Sequence, residues 1–454
     1  MDGSMQMEAA PRACPQPGRW KGRAALAGAS LAFVLGAAHF FRSGQHGLAC
    51  VCLVWAGLLW RPVAWLRRSA AVFLLGLAAE WGMTTLALAR WRLQLGQDWL
   101  RMVCILGAVA ALTLLAAAAL RSRACRRGEV SGPRAQALAC LLVSALLLLL
   151  DGLRPDLLLL HRLVPGWGAV QALLAGLWAG LVYGWLADRR RAPVWRRRIW
   201  LLFSCVFFGQ LLAGLFLHSL FLLQGVPHLP VPGLILSGPL YRGGGSLFML
   251  GLFAVSLLLA GSAWCSHLCY LGVWDARAAD AGPRSGRGVP ALWRKMRWGL
   301  LAVSLLLPLG LRLAGLPWPW ALVFALALGL ALLPCALWLS RKLGIPVYCC
   351  GICPLGMTAN LLARLSPWRL RRNGHCTGCG ACARVCRYGA LRLDGDGKVA
   401  GPDWRCTLCR DCMSVCRHRA LEIRCCGQGG AWGEQALLCS LSVLHTLFLF
   451  MGRV

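Results

Sequence analysis

Apolar residues in this chain run in long unbroken blocks rather than in short amphipathic periods. The blocks fall at 24–41, 46–60, 69–89, 99–120, 135–151, 166–187, 199–223, 246–264, 298–315, 320–340 and 435–450. A helix needs about 20 apolar residues to cross the hydrocarbon core. The pattern therefore predicts an all-α polytopic membrane protein of about 11 transmembrane helices. The second and last blocks are short for a span. Between 341 and 434 the pattern changes to a polar, cysteine-rich stretch, which predicts a small α+β domain outside the bilayer.

Composition supports this reading. The chain has 454 residues, 58% hydrophobic and 14% charged, with a mean hydropathy of +0.62. A soluble protein of this size needs more charge to cover its surface. The formal net charge is +32, and where it sits decides its meaning. Arg-rich stretches such as WRPVAWLRRS (60–69), RSRACRRGEVSGPR (121–134) and DRRRAPVWRRR (188–198) alternate with loops that carry few cations. That alternation follows the positive-inside rule and argues against a nucleic-acid partner. It places the N-terminal tail (1–23) and the cysteine-rich segment in the cytoplasm of a bacterial-type inner membrane. Arg12, Arg19, Lys21 and Arg23 lead into 24–41, which reads as an uncleaved first span.

The chemistry is concentrated in two runs, CTGCGACARVC (376–386) and CTLCRDCMSVC (406–416). Each is C-x2-C-x2-C-x3-C, the spacing of two-cluster ferredoxins, in which the fourth cysteine serves the other cluster. Cys376, Cys379, Cys382 and Cys416 are expected to hold one [4Fe–4S] cluster, and Cys386, Cys406, Cys409 and Cys412 the other. Paired zinc knuckles lack three cysteines in seven residues. Between the runs, RYGALRLDGDGKVAGPDW reads as a hairpin turning at Asp394 to Gly397, and RHRALEI after the second run repeats RYGALRL after the first. Arg387 and Arg417 stand where proline usually follows the fourth cysteine, and a cation there is expected to raise the reduction potential.

Two further motifs end predicted spans: WCSHLCYLGVWD, with Cys265 and Cys269, and YCCGICPLGMTAN, with Cys349 and Cys353. Each is C-x3-C, which puts both thiols on one face if a helix continues through it. They form a candidate joint four-cysteine site for a further cluster or a redox-active thiol set. Gly272 and Gly356 stand where a radical-SAM triad would place its third cysteine, and no C-x-x-C-H occurs for covalent haem. Two membrane-edge C-x3-C motifs followed by a double ferredoxin run resemble the NapH/NosR/CcoG class of membrane-bound polyferredoxins, over about residues 192–434. Such proteins carry C-x3-C-P at both sites; here Pro354 follows the second pair, but Tyr270 replaces proline after the first. The resemblance implies electron transfer between the quinone pool and a redox partner protein, or redox service in the maturation of a metalloenzyme.

The expected organisation is a multispan block (24–187) of unassigned role, a membrane core with the C-x3-C motifs (192–364), a double 4Fe–4S domain (367–426) and a last helix (435–450). Glu80, inside a span, is a candidate quinone or proton site because an ionisable group there is costly. His39, His161, His218 and His445 share no helix spacing suited to a b-type haem, so no haem is expected. Nucleotide and hydrolase motifs are missing. The leading function is a membrane-bound iron–sulfur electron-transfer protein, a quinol dehydrogenase or an electron-transfer subunit. An assembly factor, or a transporter or anchor fused to a ferredoxin, is the alternative.

Overall fold

The computed structural model describes residues 19–61, 63–121, 133–222, 232–242, 247–283, 291–395, 397–427 and 429–451. Among these, nine helices are long and apolar enough to cross a membrane: Ala24–Arg42, Trp65–Gln94, Leu100–Leu120, Arg134–Leu153, Gly168–Ala187, Ala192–Phe216, Leu247–His267, Lys295–Leu313 and Ala431–Phe450. The protein is a mostly helical, multi-pass membrane protein. Nine of the eleven apolar blocks thus become full-length spans. The block at 46–60 forms a helix of only 13 residues, His46–Leu58, about 20 Å long at 1.5 Å per residue and too short to cross. The block at 320–340 lies within a 26-residue helix, Trp318–Leu343. That helix ends because Gly344 adopts φ +66°, a left-handed cap. A side chain at Gly344 would collide with the Pro283 carbonyl.

Two compact units divide between Ala137 and Leu138 rather than at the composition change near 187. In the first, the Arg19–Arg42 helix packs on His46–Leu58, and Ala64–Gln94 packs on Leu100–Leu120. In the second, the helices Pro133–Leu153 and Gly168–Ala187 share a core with the last helix through Val143, Leu147, Ala172, Ala175 and Val443. The residues between 138 and 187 therefore belong to the unit that carries the cysteine motifs.

The cysteine-rich segment is bracketed by one two-stranded antiparallel sheet. Strand β1 (Trp368–Arg372) pairs with β2 (Leu421–Cys425) in the register Trp368↔Cys425 to Arg372↔Leu421. Within it, Leu393 bridges Val399, and Asp394 N–H donates to the Lys398 carbonyl at 2.7 Å, so the hairpin forms where Asp394 and Gly397 predicted a turn. One apolar core runs from the membrane helices (Phe253, Leu257) through β1 and β2 (Leu370, Ile423) to the last helix (Leu437, Leu441). Helix Ala431–Phe450 approaches β2 at Gly433, where a Cβ would lie 2.3 Å from the Ile423 carbonyl oxygen. Trp368 Nε1 also donates to the Leu259 carbonyl at 2.8 Å.

The internal duplication extends to the backbone. Left-handed φ angles occur at Gly378 and Leu408, at Gly380 and Arg410, and at Gly389 and Arg419, which are equivalent positions of the two halves. The first half uses glycine at all three; the second forces Leu and Arg into a conformation costing roughly 1–2 kcal/mol per residue. Arg419 has an exposed side chain, so Arg419→Gly is expected to stabilise the module by roughly 0.5–1 kcal/mol after glycine's own entropy cost. A higher urea midpoint for protection of β2 in hydrogen exchange would show it; an unchanged or lower one would refute it.

Candidate metal centres

The second cysteine of each membrane-edge pair sits at the start of a nine-residue helix. Cys353 caps Pro354–Leu362, its Sγ accepting the Gly356 N–H at 3.3 Å. Pro354 fits the first helical position because its missing N–H is not needed there. Cys269 precedes Gly272–Asp280 and is likewise approached by the N–H groups of Gly272 and Leu271. Both segments read C-x-L-G. The two motifs are therefore matching helix-start sites, not the continuous helices that the C-x3-C spacing suggested. The first contains only a four-residue turn, Trp264–His267, and the second a π-turn, Tyr348–Ile352. They converge nonetheless.

Cys265, Cys269, Cys349 and Cys353 line one cavity, together with Cys350, Arg297, Asn360 and Thr407. Burial pushes the Cys269 thiol up to about 12, and the neighbouring Cys353 adds to it. The Cys349 thiol is pushed up by burial and then by the Asp275 carboxylate. Asp275 positions this wall: it accepts the Cys349 N–H at 2.8 Å and the Ser340 hydroxyl at 2.6 Å. Its carboxyl is itself pushed up to about 6 by burial, against the pull of those donors. Tyr270, which stands where the second motif has Pro354, stacks on Phe207 with ring centroids 4.3 Å apart, and its carbonyl accepts the Ser204 hydroxyl at 2.7 Å. Trp200 Nε1 donates to the Cys269 carbonyl at 2.7 Å. Gly272 is required there, since a Cβ would lie 2.8 Å from the Trp200 ring.

The donor set fits an anionic group. Arg297 is 3% exposed, its Nε is buried without a partner, and Thr407 Oγ1 and Asn360 Oδ1 on the same wall are also unpartnered. A buried cation facing thiols needs compensating negative charge, which thiolate ligands of a cluster supply.

The ferredoxin-type cysteines fall in two neighbourhoods. Cys386 lines a cavity with Cys406, Cys409 and Cys412, although it belongs to the first run. Burial raises the Cys406 thiol to about 12, with Cys386 adding to it, and raises Cys412 further under Cys409, Cys406 and Cys386. Cys406 and Cys409 keep some accessible surface because they border this cavity. Cys382 is raised by burial and then by its neighbours Cys416 and Cys379, which groups those three across the two runs. Cys376 and Cys379 lie toward the surface, Cys376 half-buried and Cys379 exposed. The two fourth cysteines are treated alike: Ala390 N–H donates to Cys386 Sγ and Ala420 N–H to Cys416 Sγ, each at 3.3 Å. Such N–H···S bonds set cluster potentials. Among the described residues, no group of three or more His, Cys, Asp or Glu is arranged for a single metal ion.

Tyr388 and Thr407 line both cavities, so a shared wall separates the membrane-edge site from the inner cysteines. The Tyr388 hydroxyl is pushed up by burial and then by Cys349 and Cys409, one from each site. Charged pairs fix the module to the helices. Arg196 binds Asp411 at 2.9 Å and the Ser266 carbonyl at 3.1 Å; Arg410 and Arg189 both bind Glu434. Arg387, expected to act on a cluster, instead pairs with Asp280 at 2.8 Å and donates to the Ala279 and Gly344 carbonyls. Its charge is largely cancelled, and it works as a clamp; Arg417 is exposed.

Sequence reasoning missed Arg297, Tyr388 and the Arg196–Asp411 pair. The repeated C-x-L-G and a basic loop opposite an acidic residue in a ligand run were the available signals. Glu80 does find a partner: His39 Nε2 lies 3.5 Å from its Oε1, and the Thr84 hydroxyl donates to it at 3.4 Å. His161 pairs with Asp151 at 2.9 Å.

A 4Fe-4S dicluster domain model matches residues 375–420, and a 4Fe-4S binding domain model matches residues 241–276. No curated protein and no solved structure matches the chain. The apolar helices and these two matches together define a membrane iron–sulfur protein of the electron-transfer class.

Proposed function

We propose that the protein passes electrons between the membrane quinone pool and a redox partner protein, as in the NapH/NosR/CcoG class it resembles. Cys376, Cys379, Cys382 and Cys416 would hold one [4Fe–4S] cluster and Cys386, Cys406, Cys409 and Cys412 the second. Cys265, Cys269, Cys349 and Cys353 would hold a third at the membrane edge. The observation that carries this reading is the pair of cysteine-lined cavities that share Tyr388 and Thr407. When bound, such clusters supply one-electron carriers. The chain supplies the ligands, N–H···S donors, a buried Arg297 and a wall one side chain thick between neighbouring sites. Oxidation of a quinol releases two electrons and two protons, and the Glu80–His39 pair inside a span is suited to accept a proton. The Arg-rich loops support a ferredoxin module on the cytoplasmic face of an inner membrane.

Anaerobic purification in detergent with iron and acid-labile sulfide counts tests the assignment. About twelve irons per chain are expected, against about eight if the membrane-edge cysteines stay as thiols. Absence of sulfide after reconstitution refutes the whole reading. Quinol added to the membranes is expected to reduce the centres, and failure with several quinols removes the quinone from it.

A further inference from the structure

The module from 367 to 426 contains twelve Arg and Lys against five Asp and Glu, and its charges are sorted in space. The described acids are all engaged: Asp394 by Arg372, Asp403 by Arg405, Asp411 by Arg196 and Glu422 by Arg424. Asp396 lies outside the described residues. Cations on the side facing the helices, Arg387 and Arg410, have acid partners. Arg371, Arg384, Arg392, Lys398, Arg417 and Arg419 are different. All six are exposed, and none has an acid partner within 4.0 Å among the described residues.

Several of these bare cations flank the outer cysteine set. Arg384 Nη1 lies 3.1 Å from where a Cβ on Gly380 would stand, inside the first C-x2-C-x2-C loop. A Cβ on Gly378, two residues after Cys376, would stand 3.0 Å from the Gly397 carbonyl oxygen, which brings the neighbouring Lys398 beside this loop. Arg417 and Arg419 follow Cys416 in sequence. Cys379 is the exposed cysteine of the set. A cationic rim around an accessible redox position attracts an anionic partner over a Debye length and orients it.

We propose that this basic rim is the docking surface for an acidic, soluble electron-carrier protein, which exchanges one electron with the protein beside Cys376 and Cys379. The inference rests on the electron-transfer reading above and names its partner class. In the exchange the carrier is oxidised or reduced by one electron and the membrane protein changes by one in the opposite sense; no atoms move. A lipid surface fits less well, because the part of the module engaged with the helices is the one whose cations are already neutralised.

The test uses the full chain in detergent or nanodiscs, with purified flavodoxin as the acidic probe. Binding at about 0.01 M salt is expected to weaken at least tenfold in the triple variant Arg384→Gln, Lys398→Gln, Arg417→Gln, and in the native chain at about 0.15 M salt. The rate of electron exchange with flavodoxin is expected to fall in parallel, while reduction by the small cationic reagent methyl viologen does not fall. Flavodoxin binding that ignores both the variant and salt overturns the proposal. So does loss of binding to phosphatidylglycerol vesicles in the variant without loss of flavodoxin binding, which assigns the rim to lipid. Because binding is read independently of electron transfer, a chain that binds flavodoxin yet lacks acid-labile sulfide refutes the functional reading and not the surface.

Discussion

Cys386→Ala is expected to abolish the same EPR signal as Cys409→Ala, and each is expected to remove about four irons per chain. Cys416→Ala is expected instead to remove the signal lost in Cys382→Ala. The reason is spatial: Cys386 belongs to the first run but borders the cavity of Cys406, Cys409 and Cys412, while Cys416 neighbours Cys382. Losing one cysteine of four leaves a cluster corner without its thiolate in a pocket whose burial already disfavours free charge. Redox-titrated EPR and iron counts on the four variants decide the matter. If Cys386→Ala removes the signal lost in Cys382→Ala, each run serves its own cluster and the interleaved assignment fails.

The second large effect concerns the anchor between module and bundle. Glu434 is 8% exposed and Arg410 is 4% exposed; Arg410 also donates to the Leu186 carbonyl at 2.9 Å. Glu434→Gln strands the Arg410 guanidinium as an uncompensated buried cation, at a cost of about 3–5 kcal/mol. Hydrogen exchange of the second cysteine run and of the Ala431–Phe450 helix is expected to rise sharply. Adding Arg410→Met to Glu434→Gln is expected to restore much of the protection, because the stranded charge is gone. Unchanged exchange in the single variant would show that the pair contributes nothing to docking.

The ligand spacing and the apolar blocks were legible in the sequence because both are local: a run of seven residues wraps one side of a cluster, and one block makes one span. Nine blocks became full-length spans, while the block at 46–60 fell short because its helix stops at Leu58. The convergence of the C-x3-C pairs was also foreseen, but through the wrong local structure. Helix starts at Cys353 and ahead of Gly272 bring the thiols together, and no face of a continuous helix is involved. What stayed hidden depends on distant partners. Tyr270 looks like a loss of the proline that follows the second pair until Phe207 is seen stacked on it. Arg387 reads as a cation beside a cluster until Asp280 cancels it. Leu408, Arg410 and Arg419 give no sign of left-handed backbone, because the glycines that mark it are present only in the first half.

The last helix carries a consequence for how the protein is made. Gln171 donates to the Phe450 carbonyl, and Val443 and Leu447 fill the core between Val143, Leu147 and Ala172. On a ribosome, residues 138–187 are inserted well over two hundred residues before their packing partner exists, a wait of roughly tens of seconds at typical elongation rates. Both cysteine runs emerge during that interval, while Arg410 still lacks Glu434 and β2 still lacks the helix that closes over Gly433. Biogenesis thus has a built-in order: both cysteine runs are made before the helix that fixes Arg410 and β2 in place.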